Sequence, residues 1–222
     1  MSAPARPLEP DAAMDVDAPE GVYAPRRDSA LLAESALARL ADRAGGNVLD
    51  LCTGSGAVAL SMAAQGADVT AVDIDELAVA TARANAARRG VSLEVLLGDL
   101  FEPVRHRMFD LITCNPPYLP APQGASCLRW DAGPDGRSVV DRLCREADQY
   151  LCPGGALLLV QSHLAGIEPT LALLHRAFEP RIVAEHIGPL GPIAAARIAY
   201  LEHLLDGTCS ERLVVIEATR RR

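Results

Sequence analysis

The sequence predicts a doubly wound α/β domain, a mostly parallel sheet covered by helices on both faces. Three observations carry this prediction. Short uninterrupted apolar runs alternate with helical patterns, as parallel strands buried on both faces require. Glycines and helix-capping residues punctuate the alternation where strands hand over to helices. The 222 residues, 50% hydrophobic and only 4% aromatic, suffice for one full core built from small aliphatic side chains.

The opening "MSAPARPLEPDAAMDVDAPEG" is acidic and rich in Pro and Ala. It has neither the basic start nor the apolar centre of a signal peptide, so residues 1–21 are expected to be a disordered leader and 22–222 the domain. "DSALLAESALARLADRAGG" reads as a helix capped by Asp28 or Ser29 and stopped by Gly45 and Gly46. "NVLDLC" is the first strand, "TGSG" a turn, and "AVALSMAAQ" a helix ending at Gly66. "DVTAVD" is the second strand. "DELAVATARANAARRG" follows as a helix with acids at its start and arginines at its end, matching its dipole. "SLEVLLGD" and "FDLITC" are the third and fourth strands. After a long loop come the helix "RSVVDRLCREADQYL", the strand "GALLLVQS", the helix "PTLALLHRAF" and the strand "RIVAEHI". A helix "AAARIAYLEHLL" and the seventh strand "RLVVIEA" close the chain.

Composition excludes several function classes. No apolar run approaches the roughly 20 residues of a membrane span. The six cysteines form no C-x-x-C pair and the five histidines are scattered, so neither a disulfide framework nor a metal site is expected. The thiols then belong in the reducing cytoplasm. A net charge of −8 argues against a broad nucleic-acid footprint, which needs a basic face.

"VLDLCTGSGAVA" places Gly54 and Gly56 in the first strand-to-helix turn, where doubly wound sheets bind ligands. With Asp73 at the end of the second strand, the pattern fits a dinucleotide and S-adenosylmethionine (SAM) alike. Asp50 decides for SAM. A carboxylate inside the first strand repels a pyrophosphate but attracts the ammonium of a methionyl group and its neighbouring sulfonium. Asp99 in "LLGDLF" adds a third acid, suited to an adenine amino group.

"TCNPPYLP" leaves the fourth strand through two prolines, which remove two donors and stiffen the exit. Such a corner presents Asn115 and a main-chain carbonyl, that of Pro116, in fixed directions. Two acceptors are what orient a poorly nucleophilic planar nitrogen, one for each N–H. Tyr118 supplies a flat face.

From "GVYAPRRDSALL" to "RLVVIEA" the chain resembles the HemK-like class I SAM-dependent N-methyltransferases. The nearest likeness is to the short branch related to release-factor glutamine N5-methyltransferases of archaea and eukaryotes. "VYAPRRDSALLAE", "VLDLCTGSG", "AVDID", "GDLF", "CNPPYLP" and "WDAGPDGRSVVDRL" carry the resemblance. It implies a Rossmann-like domain with a seven-stranded, mostly parallel sheet whose last strand is antiparallel. It implies SAM as methyl donor, leaving as S-adenosylhomocysteine. Ser29, Asp50, Cys52, Gly54, Gly56 and Asn115 would meet its methionyl part, Asp73 and Ile74 the ribose side, and Asp99 and Leu100 the adenine. Asn115, Pro116 and Tyr118 would hold the acceptor nitrogen, and Pro117 would lie beside them.

Cys52 stands where the family often has Gly. The glycine loop also begins too early for the helical recognition domain of bacterial release-factor enzymes. The resemblance makes a glutamine side chain of a protein the first expected acceptor. The missing recognition domain favours a small molecule as the second, and adenine is third because of the acidic net charge. A nucleotide-binding module without transfer activity is the rival reading.

In "RWDAGPDGR", Trp130 and Asp131 are expected to wall the acceptor pocket, with Arg137 reaching an acidic group. Residues 187–207 are either a lid over that pocket or plain packing. The strand at 92–97 should be an exposed edge; in eukaryotic relatives a small partner covers that region.

Overall fold

The computed structural model describes residues 15–41, 46–125, 127–205, 207 and 209–221. Helix α1 (Arg27–Ala41) leads into β1 (Asn47–Leu51), α2 (Ala57–Ala63), β2 (Asp68–Asp73), α3 (Glu76–Arg89) and β3 (Glu94–Leu97). Then follow β4 (Phe109–Cys114), α4 (Ser138–Glu146), β5 (Leu151–Ser162), α5 (Ile167–Leu174) and β6 (Phe178–Pro189). Two four-residue helices, α6 (Pro192–Ala195) and α7 (Ile198–Leu201), precede β7 (Ser210–Arg220).

The seven strands form one sheet in the order β3-β2-β1-β4-β5-β7-β6. β1, β2, β3, β4 and β5 pair in parallel, while β7 runs antiparallel to both β5 and β6. The expected architecture is therefore present. Alternation along the strands splits the core into two layers. In β5, Leu157 and Leu159 face a layer with Val140, Leu143 and Leu174, while Ala156, Leu158 and Val160 face one with Leu32, Val58 and Val79. Such strands are apolar at every position because both faces are covered, which is why they read as unbroken runs.

Several boundaries differ from expectation. Asp28 is not a cap: it lies inside the first turn of α1 with its side chain turned inward and buried. Residues 1–14 of the expected leader and Gly45 of the expected helix stop lie outside the described residues. Residues 15–21, also assigned to the leader, lie against α3, where Asp17 and the Asn85 side chain exchange hydrogen bonds. The single helix expected over 194–205 is broken at Arg197, whose backbone leaves the helical region (φ −111°, ψ 15°). Its side chain is drawn into an ion pair with Asp131 instead. The helix starts of α3 hold as read, with Asp75 capping it by accepting from Leu77 N at 2.9 Å.

β3 is an edge strand as expected, with Leu97 47% exposed. No helix among the described residues is long and apolar enough to cross a membrane.

Candidate active site

The strand order reverses between β1 and β4, and a cleft of about 540 Å³ opens over the carboxyl ends of the strands at that point. The ends of β1, β2 and β4 and the turn after β3 bring Asp50, Asp73, Asn115 and Asp99 to its walls. Ser29, Cys52, Gly54, Ile74, Leu100, Pro116, Pro117, Tyr118, Trp130 and Asp131 also line it.

Two of the three non-glycine residues with positive φ among the described residues, Cys52 (55°) and Leu100 (47°), sit on this cleft. Strained backbone of this kind gathers where the chain must be aimed rather than merely packed. Gly56, at φ 83°, starts α2 and rests on α3, where an added Cβ would lie 3.1 Å from Ala82 Cβ.

Asp50 is 1% exposed, and the hydroxyls of Thr53 and Thr113 each donate to it at 2.6 Å. Burial nevertheless dominates and pushes its carboxyl up to about 6. Asp73 is fixed by two backbone donors, Gly54 N at 2.8 Å and Asp75 N at 3.0 Å, while burial pushes its carboxyl above the usual range. Arg142 donates to Asp99 Oδ2 at 2.9 Å. Ile74 is 51% exposed within the cleft. Leu100 and Val139 join it there, an apolar surface suited to a flat base.

At the other end, the proline corner is held by a network the sequence reading did not contain. Asp28 Oδ2 accepts from both Tyr23 OH and Tyr118 OH, each at 2.8 Å. Asp28 Oδ1 accepts from Ser29 N at 2.7 Å and from Ser29 Oγ at 3.3 Å. Ser29 Oγ in turn accepts from Asn115 Nδ2 at 3.2 Å. Burial first, and then the charge of Asp28, raise the Tyr118 phenol well above its ordinary range, so it stays protonated. Tyr23 is raised in the same way. The fit to SAM rests on this donor set: acids that suit an ammonium, a ribose and an amino group, beside an apolar slot. Among the described residues no cluster that could hold a metal ion is present.

The comparisons with known proteins agree with this geometry. The sequence profile described as "Methyltransferase small domain" matches residues 14–186. The chain belongs to that family. A provisionally named protein N5-glutamine methyltransferase of Methanocaldococcus jannaschii is 36% identical over 156 residues, 68% of this chain and 77% of its own length. A release factor glutamine methyltransferase of Bordetella pertussis is 41% identical over 150 residues, 61% of this chain but only 55% of its own length. In fold, the chain matches a Thermus thermophilus 16S rRNA N2 methyltransferase solved with AdoMet and guanosine. There the TM-score is 0.57 at 23% identity, over 89% of this chain and 44% of that one. This chain is accordingly a Rossmann-like methyltransferase of that family, related to the protein glutamine methyltransferases.

Two expected acceptor residues of this methyltransferase have other engagements. Arg137 does not line the cleft. Its guanidinium donates to the carbonyls of Ala165 and Gly166 at 2.6 and 2.9 Å and to Thr170 Oγ1 at 3.0 Å, and it pairs with Asp141 at 2.6 Å. With its donors committed there, it has no reach toward a substrate. Asp131 does line the cleft, but its carboxylate is taken by Arg197 at 2.5 Å and by Cys127 N at 2.9 Å. Through that pair it ties the acceptor loop to the 187–207 segment. Tyr200 OH adds bonds to the carbonyls of Ala121 and Pro134. Pro189 and Gly191 through Ala194 line the cleft, so this segment forms part of its wall.

Tyr23, Asp28, Thr53, Thr113, His186 and Glu211 were missed from the sequence, although each has a place in the cleft or in its hydrogen bonds. "GVYAPRRDS" was a usable signal for the first two, since a tyrosine and an acid flank Ser29 there.

The acceptor corner also depends on Gly136. At φ 73°, a Cβ added there would lie 2.3 Å from the Tyr118 carbonyl oxygen and 3.0 Å from Pro120 Cδ. A Gly136→Ala variant is expected to lose about 1–3 kcal/mol of stability. Thermal unfolding measures that loss, and calorimetry should find SAM affinity close to wild type.

Proposed function

We propose that this methyltransferase transfers a methyl group from SAM to a planar amide nitrogen, the side chain of a glutamine in a protein such as a release factor. One observation carries the reading most of the way. Asn115 Nδ2 is committed to Ser29 Oγ, so Oδ1 is the atom left to accept an N–H from a substrate. The Pro116 carbonyl, on the same stiff corner, takes the second N–H. With both hydrogens held, the delocalised lone pair is turned toward the methyl donor. Tyr118, a neutral phenol, offers its face to the flat amide and does not act as a base: as the N–CH3 bond forms and the S–CH3 bond breaks, the nitrogen becomes strongly acidic and one of its protons leaves to water. Trp130 and Pro117 close the sides of the acceptor end.

When bound, SAM supplies an electrophilic methyl group on a sulfonium. Asp50 and the turn from Cys52 to Ser55 would hold its methionyl part, with Ser29 and Asn115 beside it; Gly56, also expected to meet it, does not line the cleft and instead lets the turn pack on α3. Asp73 would take the ribose. Asp99, with Oδ1 left over from its bond to Arg142, would take the adenine amino group, and Ile74 and Leu100 the base. The six free cysteines fit a reducing cytoplasm.

The Asp50 assignment gives a pH prediction. The ammonium needs the ionised carboxylate, so SAM affinity should be flat from about pH 7 until the ligand's own α-amino group deprotonates, and weaken by up to tenfold per pH unit below about 6. Calorimetry at stepped pH measures this. Stability has the opposite dependence. The folded pKa of Asp50 lies above the unfolded value, so the folded state holds the extra proton. The contribution of Asp50 to the stability of the ligand-free protein falls by about 2–3 kcal/mol as pH rises from 4 to 6, which Asp50→Asn should remove.

A second acceptor reading, a small molecule, is favoured by the part of the cleft wall that Pro189 and Gly191 through Ala194 form. Intact-mass analysis of a release factor incubated with the enzyme and SAM separates the two. A gain of one methyl group supports the protein acceptor. No gain in a preparation that binds SAM contradicts it.

A further inference from the structure

The mechanism leaves unused a buried amide on the far side of the glycine turn. Asn85, in α3, is 1% exposed, and all three of its hydrogen bonds go to main chain. Its Nδ2 donates to the Ser55 carbonyl in the glycine turn at 2.9 Å and to the Asp17 carbonyl at 2.9 Å. Its Oδ1 accepts from Asp17 N at 3.1 Å. One side chain therefore joins the turn that would hold the methionyl group to a strand of chain outside the sheet.

That outer strand runs on over the cleft. Asp17 is further held by an ion pair with Arg88, and Arg89 donates to the Asp15 carbonyl. A turn closed by Val22 N to Pro19 O at 3.0 Å redirects the chain. Gly21 then packs so closely that an added Cβ would lie 2.8 Å from Leu77 of α3. The Tyr23 carbonyl passes Gly54, where a built Cβ would come within 4.0 Å of it. Gly21 through Tyr23 and Pro25 through Arg27 line the cleft, and Tyr23 OH ends on Asp28. On α3, Ala82 supports Gly56 and Asn85, one turn further along the same face, supports Ser55.

We infer that Asn85 is a positioning residue for the cofactor turn, and that residues 15–27 form a strap whose docking on Asn85 is coupled to SAM binding. The inference rests on the assignment of this cleft to SAM. The strap wall and the turn wall are fixed by the same amide, so occupying the cleft tightens the strap. By reciprocity, loosening the strap weakens SAM binding by the same factor.

Two variants test this in the full chain. Asn85→Ala removes the joint. Asp17→Pro removes the N–H donated to Asn85 Oδ1 while leaving α3 intact, and it keeps the test alive if Asn85→Ala does not fold. Each is expected to raise the SAM dissociation constant roughly tenfold, the weight of one to two ordinary hydrogen bonds. Their kcat at saturating SAM should stay within about twofold of wild type, because neither touches the acceptor corner. Hydrogen exchange gives an independent readout. Saturating SAM should slow the amides of residues 15–27 in wild type and lose that effect in the variants. Unchanged SAM affinity in Asp17→Pro, or no protection of the strap in a wild type that binds SAM, overturns the inference. A wild type that binds no SAM overturns the cleft assignment itself.

Discussion

An Asn115→Ala variant is expected to lose roughly two to three orders of magnitude in kcat while still binding SAM. The expectation follows from what the nitrogen acceptor lacks. An amide nitrogen shares its lone pair with its carbonyl, so its reactivity depends on how it is held. Asn115 Oδ1 is one of the two acceptors available to hold it. Its amide is oriented through Ser29 and, behind that, Asp28. Alanine removes the acceptor and leaves the carboxylates of the cofactor end in place. Single-turnover rates give the loss in the methyl-transfer step, and calorimetry gives SAM affinity. A variant that keeps wild-type turnover removes Asn115 from the chemistry.

Asp28→Ala should produce the largest loss of stability, about 3–4 kcal/mol. The side chain is 3% exposed and takes hydrogen bonds from two tyrosine hydroxyls, a backbone amide and a serine. Alanine leaves two half-buried phenols and the buried Ser29 amide without that acceptor. For a chain of this length the change lowers Tm by roughly 10 °C. Asp28→Asn keeps one acceptor oxygen and should lose about half as much. In both variants kcat should fall by a larger factor than SAM affinity, because Tyr118 and Asn115 lose their shared support. Thermal unfolding together with kcat and SAM affinity separates the effects, and equal losses in both would mean that Asp28 only stabilises the fold.

How much was legible in the sequence depended on how local the cause was. The inner strands were readable because burial on both faces leaves a largely apolar run, as in "GALLLVQS", and the edge strands β3 and β6 by their place in the strand-helix alternation. The acid-led start of α3 and the Asn-Pro-Pro-Tyr corner were readable because backbone chemistry fixes them within a few residues. That Asp50, Asp73 and Asp99 share one cleft was readable because the ends of successive parallel strands converge there.

Contacts made across long sequence separations were not. Asp28 before an amphipathic run reads as a helix cap; Tyr23 nearby gives a local hint of its buried role, but the bond from Tyr118, 90 positions away, has no trace in the sequence. Arg137 beside a substrate loop reads as a substrate ligand until topology brings it the carbonyls of Ala165 and Gly166. The apolar spacing over 194–205 predicts one helix, yet Asp131 draws Arg197 away and splits it. Asn85 reads as an ordinary polar residue on a helix, because nothing in its neighbourhood discloses that Ser55 and Asp17 meet there.

The most direct test of the central claim is to locate the transferred methyl group by fragmentation mass spectrometry, with wild-type enzyme and Asn115→Ala run in parallel on a release factor. The account predicts one methyl group on the side-chain nitrogen of a single glutamine with wild type, and its near absence with the variant. A methyl group on a carboxylate oxygen or a thiol, or equal labelling by both enzymes, would contradict it.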